Sequence, residues 1–188
     1  MSKISQNIFL IGPMGSGKTT IGKHLARKLG LEFFDCDHEL ERLTGASVSL
    51  IFDLEGEEGF RSRETSLLEQ LTAKSGVLIA TGGGAICREE NRHMLRSRGF
   101  VVYLETGVEE QLKRLSKDKS RPLLQAEDRK QRLKELASVR NPLYAATADL
   151  VFTARRSSVF ATAKTLAATI LDRLDPLKRE KQYADSQS

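Results

Sequence analysis

Tryptophan is absent from this chain of 188 residues, and cysteine and proline are scarce, at two and four. Cys36 and Cys87 are too few for a disulfide scaffold, and their spacing matches no metal or redox motif, so both read as small buried side chains. No apolar run approaches the roughly 20 residues that span a bilayer. Met1–Asn7 leads straight into the short run Ile8–Ile11, without the longer apolar stretch and cleavage site of a secretory signal. A cytoplasmic protein with no membrane partner is expected. Charge of one sign is never collected in a block: the net charge of +5 comes from basic residues scattered among acids. No DNA- or RNA-binding signature appears, so the excess reads as attraction for a small anionic ligand rather than for nucleic acid. Internal repeats are absent too. What remains, 39% hydrophobic and 29% charged residues, is the make-up of an ordinary globular protein with one core.

Along the chain, short apolar runs alternate with helix-period segments. Ile8–Ile11, Glu32–Asp35, Val77–Thr81, Phe100–Leu104 and Leu150–Thr153 are rich in β-branched or aromatic residues and read as strands. Ile21, Leu25, Ala26 and Leu29 share one helical face. Phe60, Leu67, Leu68 and Leu71 share another within a helix expected at Glu57–Ser75, with Glu64 the odd member. Val159–Leu174 repeats the pattern. Such alternation implies right-handed crossovers and an α/β fold, a parallel sheet flanked by helices, with ligands at the carboxyl ends of the strands. Residues 1–174 are expected to form a single domain. Within it, 38–75 holds more helix than one crossover needs and reads as a substrate-binding subdomain, while the polar stretch 116–128 reads as a lid. Residues 175–188 are charged, with little apolar content, and read as a flexible tail.

Gly12-Pro-Met-Gly-Ser-Gly-Lys-Thr19 fits G-x-x-x-x-G-K-[ST] in full, directly after a strand and opening a helix. Its glycines let backbone N–H groups converge on phosphates at a helix N-terminus. Lys18 would reach the β- and γ-phosphates, and Thr19 would offer its hydroxyl to Mg²⁺. No base-reading N-K-x-D or T-K-x-D segment accompanies the loop, which argues against a GTPase. The chain is also short for a motor. Transfer to a metabolite fits better.

The strand Val77–Thr81 runs into Gly82-Gly83-Gly84 and supplies no carboxylate for Mg²⁺. Asp35 and Asp37 end the strand Glu32–Asp35; read as extended chain, residues two apart point the same way, with Cys36 pointing away. Helix capping by Asp37 ahead of Glu39–Leu43 explains that aspartate equally well. Gly82–Gly84 would let a ligand approach the backbone closely. Taken singly, Arg61, Arg121 and Arg140 read as solvated surface charges.

Together these residues resemble shikimate kinases, over the span from Ile8 to about Leu174. The likeness rests on the phosphate loop through Thr20, Asp35-Cys-Asp37, Ile51-Phe52, Gly59-Phe-Arg61, Thr81-Gly-Gly-Gly84, Arg121-Pro-Leu-Leu124 and Arg140-Asn-Pro-Leu-Tyr144, in that order. It implies the P-loop, nucleoside-monophosphate-kinase-like fold with a five-stranded parallel sheet, and transfer of the ATP γ-phosphoryl to the 3-hydroxyl of shikimate on the route to aromatic amino acids. By position, Asp37 would take the hydroxyl proton, with Lys18 and Arg121 as the other catalytic groups. Arg61 and Arg140 would grip the carboxylate, and Gly82, Gly83 and Gly84 would meet the ring hydroxyls. Gly15, Ser16, Gly17, Lys18, Thr19, Thr20, Arg121 and Arg156 would hold ATP, with Thr19 and Asp35 supporting Mg²⁺. Phe52 and Phe60 would wall the pocket. The resemblance also implies a monomer. Ser16 and Thr19 stand where alanine and serine are frequent in the family; both keep the needed geometry or hydroxyl. His24, His38 and His93 match no catalytic position. The competing readings are a gluconate-kinase-like enzyme on the same scaffold and an ATP-binding module without transfer.

Overall fold

The computed structural model describes residue 4 and residues 6–116, 128–153 and 158–175. Five strands, β1 (Ile8–Ile11), β2 (Glu32–Asp35), β3 (Val77–Ala80), β4 (Phe100–Glu105) and β5 (Leu150–Thr153), form one sheet in the order β2-β3-β1-β4-β5. Every pairing is parallel. The strands expected from sequence are all present, β3 one residue shorter and β4 one longer. β1 is buried along its whole length, the signature of a central strand covered on both faces.

Alternation along β1 sorts its side chains to two cores. Phe9 and Ile11 join Val77, Ile79, Val101 and Tyr103 on one face. Ile8 and Leu10 join Leu78, Val102 and Leu104 on the other. The second face is covered by α1 (Lys18–Leu29) and α7 (Val159–Leu174), which present Leu25, Ala26, Ala163, Leu166 and Ile170 to it. Against the first pack α2 (Cys36–Thr44), α3 (Val48–Thr72) and α4 (Glu89–Arg98), with Tyr144 from α6 (Arg129–Thr147). α5 (Val108–Leu115) closes a smaller cluster in which Leu115 and Leu133 meet Met14 of the phosphate loop.

Two expectations need correction. The helix expected at Glu57–Ser75 starts earlier, at Val48, and is broken at Gly56, whose φ of 70° and ψ of −179° lie outside the helical region. Glycine adopts that conformation without steric cost, so the chain re-enters the helix in a new direction. Cys36 is buried as expected, but Cys87 is exposed, as the last residue of a 3-10 turn at Ala85–Cys87. No described helix is long and apolar enough to cross a membrane.

Candidate active site

The phosphate loop leaves the C-terminal end of the central strand β1 and runs into α1. Gly12, Gly15 and Gly17 have φ of 143°, 77° and 90°, so an L side chain at any of them would be strained. A Cβ at Gly12 would also lie 2.7 Å from the carbonyl oxygen of Leu104. The first turn of α1 has neither an acidic residue nor a side-chain cap. Its N–H groups and the positive end of its dipole are therefore presented to the cavity, the arrangement that binds phosphate. Lys18 is buried, and its ammonium donates to the carbonyls of Gly12 and Pro13, each at 2.8 Å, and to Ser16 Oγ at 3.3 Å. The cation is thus held inside the curve of the loop.

Beside it, the hydroxyl of Thr19 donates to Asp35 Oδ2 at 2.5 Å. Asp35, not Asp37, caps α2, accepting from the His38 N–H at 3.2 Å. The helix begins at Cys36, so the two aspartates do not project together as alternate residues of an extended chain. Asp37 instead reaches the same side from the first turn of α2. It lines a cavity bounded by Lys18, Thr19, Asp35 and Thr81. Cys36 turns into the core, where burial first, and then the carboxylates of Glu64, Asp37 and Asp35, push its thiol well up; it is no nucleophile.

Asp37 also borders a second cleft, walled by Val48, Phe52 and Phe60 and closed by Arg61, Glu64, Arg140 and Gly82–Gly84. The phosphate cavity and this cleft share Met14, Asp37 and Gly83. Arg61 and Arg140 are not solvated surface charges, being 7% and 6% exposed. They reach the cleft from α3 and α6, Arg61 one turn beyond the break at Gly56. On α6, Leu133, Arg140, Tyr144 and Thr147 share the inward face. Tyr144 stacks on Tyr103 at 5.0 Å and donates to the Gly83 carbonyl at 2.5 Å, which pins the glycine segment to α6.

Glu64, the member that broke the apolar pattern, is 2% exposed and accepts from Arg61 Nη1 at 2.7 Å. Its other oxygen, Oε1, has no hydrogen-bond partner among the described residues. Burial lifts the Glu64 carboxyl above the ordinary value, with Arg61 pulling it partly back down. For Arg61, burial favours loss of charge, but Glu64 and Glu57 outweigh it and hold the guanidinium protonated. The carboxylate is the strained partner, since it is more deeply buried and only half satisfied.

Glycine is required at the turn for reasons of space. A Cβ on Gly84 would overlap the Arg61 guanidinium, and one on Gly82 would overlap Glu64 Oε1. Gly84→Ala should therefore displace Arg61 while sparing the phosphate loop. The requirement for the acceptor is expected to rise about tenfold, with that for nucleotide unchanged. Steady-state titration of each substrate checks this, and equal shifts would refute it.

Comparison with known proteins decides the family. The shikimate kinase family model matches residues 14–175. The chain belongs to the shikimate kinase family. A shikimate kinase of Histophilus somni is 53% identical over 174 residues, covering 92% of this chain and 97% of that protein. One from Shewanella loihica is 52% identical over 169 residues, covering 90% and 96%. The structure of the Acinetobacter baumannii shikimate kinase in complex with shikimate superposes with a TM-score of 0.89 at 48% identity, covering 92% of this chain and 96% of that one. The P-loop, nucleoside-monophosphate-kinase-like fold and the ATP-dependent kinase activity implied by the resemblance both stand.

Of the site residues expected from sequence, Gly15, Ser16, Gly17, Lys18, Thr19, Thr20, Asp35, Asp37, Arg61, Gly82, Gly83, Gly84 and Arg140 converge on the two joined cavities. Arg121 and Arg156 lie outside the described residues, as do most of the stretch 116–128 and all but the first residue of the stretch 175–188. Sequence reasoning missed Glu64, whose only signal was a carboxylate at a core position of the helical pattern. It also missed Arg114 on α5, which donates to the Gly15 carbonyl at 3.0 Å and so braces the outer lip of the loop. His38 and His93 are exposed, and His24 packs edge-on against Phe160 at 6.5 Å.

Proposed function

We propose that this chain transfers the γ-phosphoryl group of ATP to the 3-hydroxyl of shikimate, giving shikimate 3-phosphate and ADP, with Asp37 at the point of transfer. The observation that carries the reading is the position of Asp37, on the boundary between the phosphate cavity and the arginine-lined cleft. A hydroxyl held by Asp37 from the cleft side faces a γ-phosphate held by the loop, which is the in-line placement phosphoryl transfer requires.

Arg61 and Arg140 grip the acceptor's carboxylate, because planar guanidinium groups match carboxylate geometry and two separate elements hold them at fixed positions. Gly82–Gly84 allow the ring to approach the backbone, and the unpaired Glu64 oxygen accepts from one of its hydroxyls. Asp37 orients the attacking hydroxyl and takes its proton as the bond to phosphorus forms. The phosphate loop grips the nucleotide through Gly15–Thr20, and Lys18 moves onto the β- and γ-phosphates to stabilise charge as the ADP oxygen leaves. On this reading Arg121, in the stretch 116–128 assigned as a lid, adds a second cation there, and Arg156 serves the adenine. The Thr19 hydroxyl and the Asp35 carboxylate, already in contact, are hard oxygen donors suited to an ion that keeps most of its water and arrives with the phosphates. Magnesium held there by Thr19 and Asp35 would supply positive charge to offset that on the phosphate oxygens. Residues 1–174 act as one kinase domain with 38–75 as the substrate-binding part. On this reading the protein works as a cytoplasmic monomer.

ADP release by purified protein, compared with shikimate, quinate, gluconate and a nucleoside monophosphate, tests the reading. Shikimate should support turnover at least about tenfold faster than any of the others at equal low concentration, since a site built for one pattern of hydroxyls rejects analogues that leave its polar groups unpaired. Preference for gluconate, or no acceptor-dependent release, would overturn it.

A further inference from the structure

The break in α3 divides it into two segments with very different anchorage. The second, beyond Gly56, is fixed to the body of the protein by buried Phe60, Leu67, Leu68 and Leu71. Arg88 adds to this, pairing with Glu58 and donating to Ser62 and Thr65, each at 3.4 Å. The first segment, Val48–Glu55, buries Ile51 and packs Val48 and Phe52 partly against the core. Its start is tied to α2 through the Val48 N–H, which donates to Glu41 Oε1 at 2.9 Å. Leu50 and Leu54, toward the break, are 45% and 75% exposed. This segment, held at its start and less covered toward the break, supplies Val48 and Phe52 to the cleft, and the Phe52 ring lies 4.5 Å from that of Phe60, next to Arg61. Something must hold its angle.

Across the break, Arg63 Nε and Nη2 donate to the two carboxylate oxygens of Glu55, both at 2.7 Å. This fork joins the last residue of the first segment to the second segment. Gly59 makes room for it: a Cβ there would lie 2.5 Å from Glu55 Cβ. Hydrogen bonding to Arg63 also holds the Glu55 carboxyl below its ordinary value. Neither Glu55 nor Arg63 lines the cleft.

We propose that the Glu55–Arg63 pair clamps α3 at its Gly56 bend and thereby sets the enzyme's affinity for its acceptor. Both are positioning residues, acting through Val48, Phe52 and Arg61. The inference rests on the acceptor assignment made above. It predicts a selective effect: the nucleotide is gripped by a loop on the far side of Asp37, which the clamp does not reach.

The test uses the full chain as Glu55→Gln, Arg63→Gln, the double variant, and the charge-reversed pair Glu55→Arg with Arg63→Glu. Each single variant should raise the acceptor KM about three- to fivefold, the scale of one well-formed exposed ion pair, with kcat and the ATP KM within about twofold. The double variant should be no worse than either single, and reversal should recover part of the loss. In about 1 M salt the wild-type acceptor KM should rise toward that of the variants, as the exposed pair is screened. Acceptor and nucleotide KM values rising together, no change in either, or singles that multiply in the double would overturn the clamp. Amide exchange supplies an acceptor-free readout: residues 48–55 should exchange faster in the single variants, and 60–71 should not. A wild-type chain that releases no ADP with shikimate would refute the acceptor assignment, and the exchange measurement would still decide whether the pair holds the bend.

Discussion

An Asp37→Asn variant is expected to bind nucleotide as the wild type does and to turn over about 10²–10⁴-fold more slowly, the range lost with a positioned general base. Asparagine keeps the shape and one acceptor oxygen, so the hydroxyl can still be held, but the amide cannot take up a proton. Asp37 sits in the first turn of α2, where its charge also favours the helix dipole. Losing that term costs only about 0.3–1 kcal/mol, so the fold should survive. The Lys18 cage and the Thr19–Asp35 contact involve other atoms, which leaves nucleotide affinity intact. ADP release at saturating acceptor, set beside a nucleotide titration, separates the two effects. Turnover within a few-fold of wild type would remove Asp37 from proton transfer.

The phosphate loop could be read from the sequence because its requirements are local: glycines with positive φ, a lysine and a hydroxyl at fixed spacing, between a strand and a helix. The parallel sheet was legible for a related reason, since β1, β2 and β5 are short apolar or aromatic runs whose bounds coincide with their periodicity. The strand order was not, because it depends on long-range pairings such as Ile8 with Leu78 and with Phe100. Neither was the geometry of the acid pair. The Asp35 side chain takes the cap position and starts the helix one residue later, and the propensities of Asp-Cys-Asp do not distinguish this from continued strand.

Glu64 shows where reading by pattern fails in a productive way. A carboxylate among Phe60, Leu67, Leu68 and Leu71 conflicts with burial, and such conflicts mark places where function overrides packing. Recognising it required knowing that Arg61, one turn away, is buried too. Neither residue is intelligible alone. The exposed arginines of this chain, including Arg63 and Arg114, look identical to Arg61 in composition, and only packing separates them.

Removing Arg61 should damage stability and acceptor binding together, with a distinctive pH signature. Arg61 and Glu64 are 9% and 2% exposed at the side chain, and their contact is 2.7 Å. Breaking such a pair from one side strands the remaining charge, at a cost of about 3–5 kcal/mol. For a chain of this size that is a loss of roughly 6–20 °C in Tm. Burial first, opposed by Arg61, already holds the Glu64 carboxyl above its ordinary value of 4.5. A carboxyl raised on folding binds its proton more tightly in the folded state, so its contribution to stability is present below the unfolded value and lost as pH rises through the folded one. Arg61→Ala takes away the largest opposing pull, leaving Arg140 as the lesser one. The folded value then climbs further, and the window of loss extends upward. The deficit against wild type should be smallest near pH 4.5 and grow toward neutral pH. An Arg61→Ala, Glu64→Gln double variant should lose that pH dependence, because no titrating group remains at the position. In the single variant the acceptor KM should rise by about 10²-fold, as expected for a lost guanidinium–carboxylate contact, with nucleotide affinity unchanged where the protein is folded. Thermal melts from about pH 4.5 to 8 check the linkage. A deficit that is flat with pH would mean that Glu64 carries no stranded charge, and equal losses for acceptor and nucleotide would take Arg61 out of the acceptor cleft's chemistry.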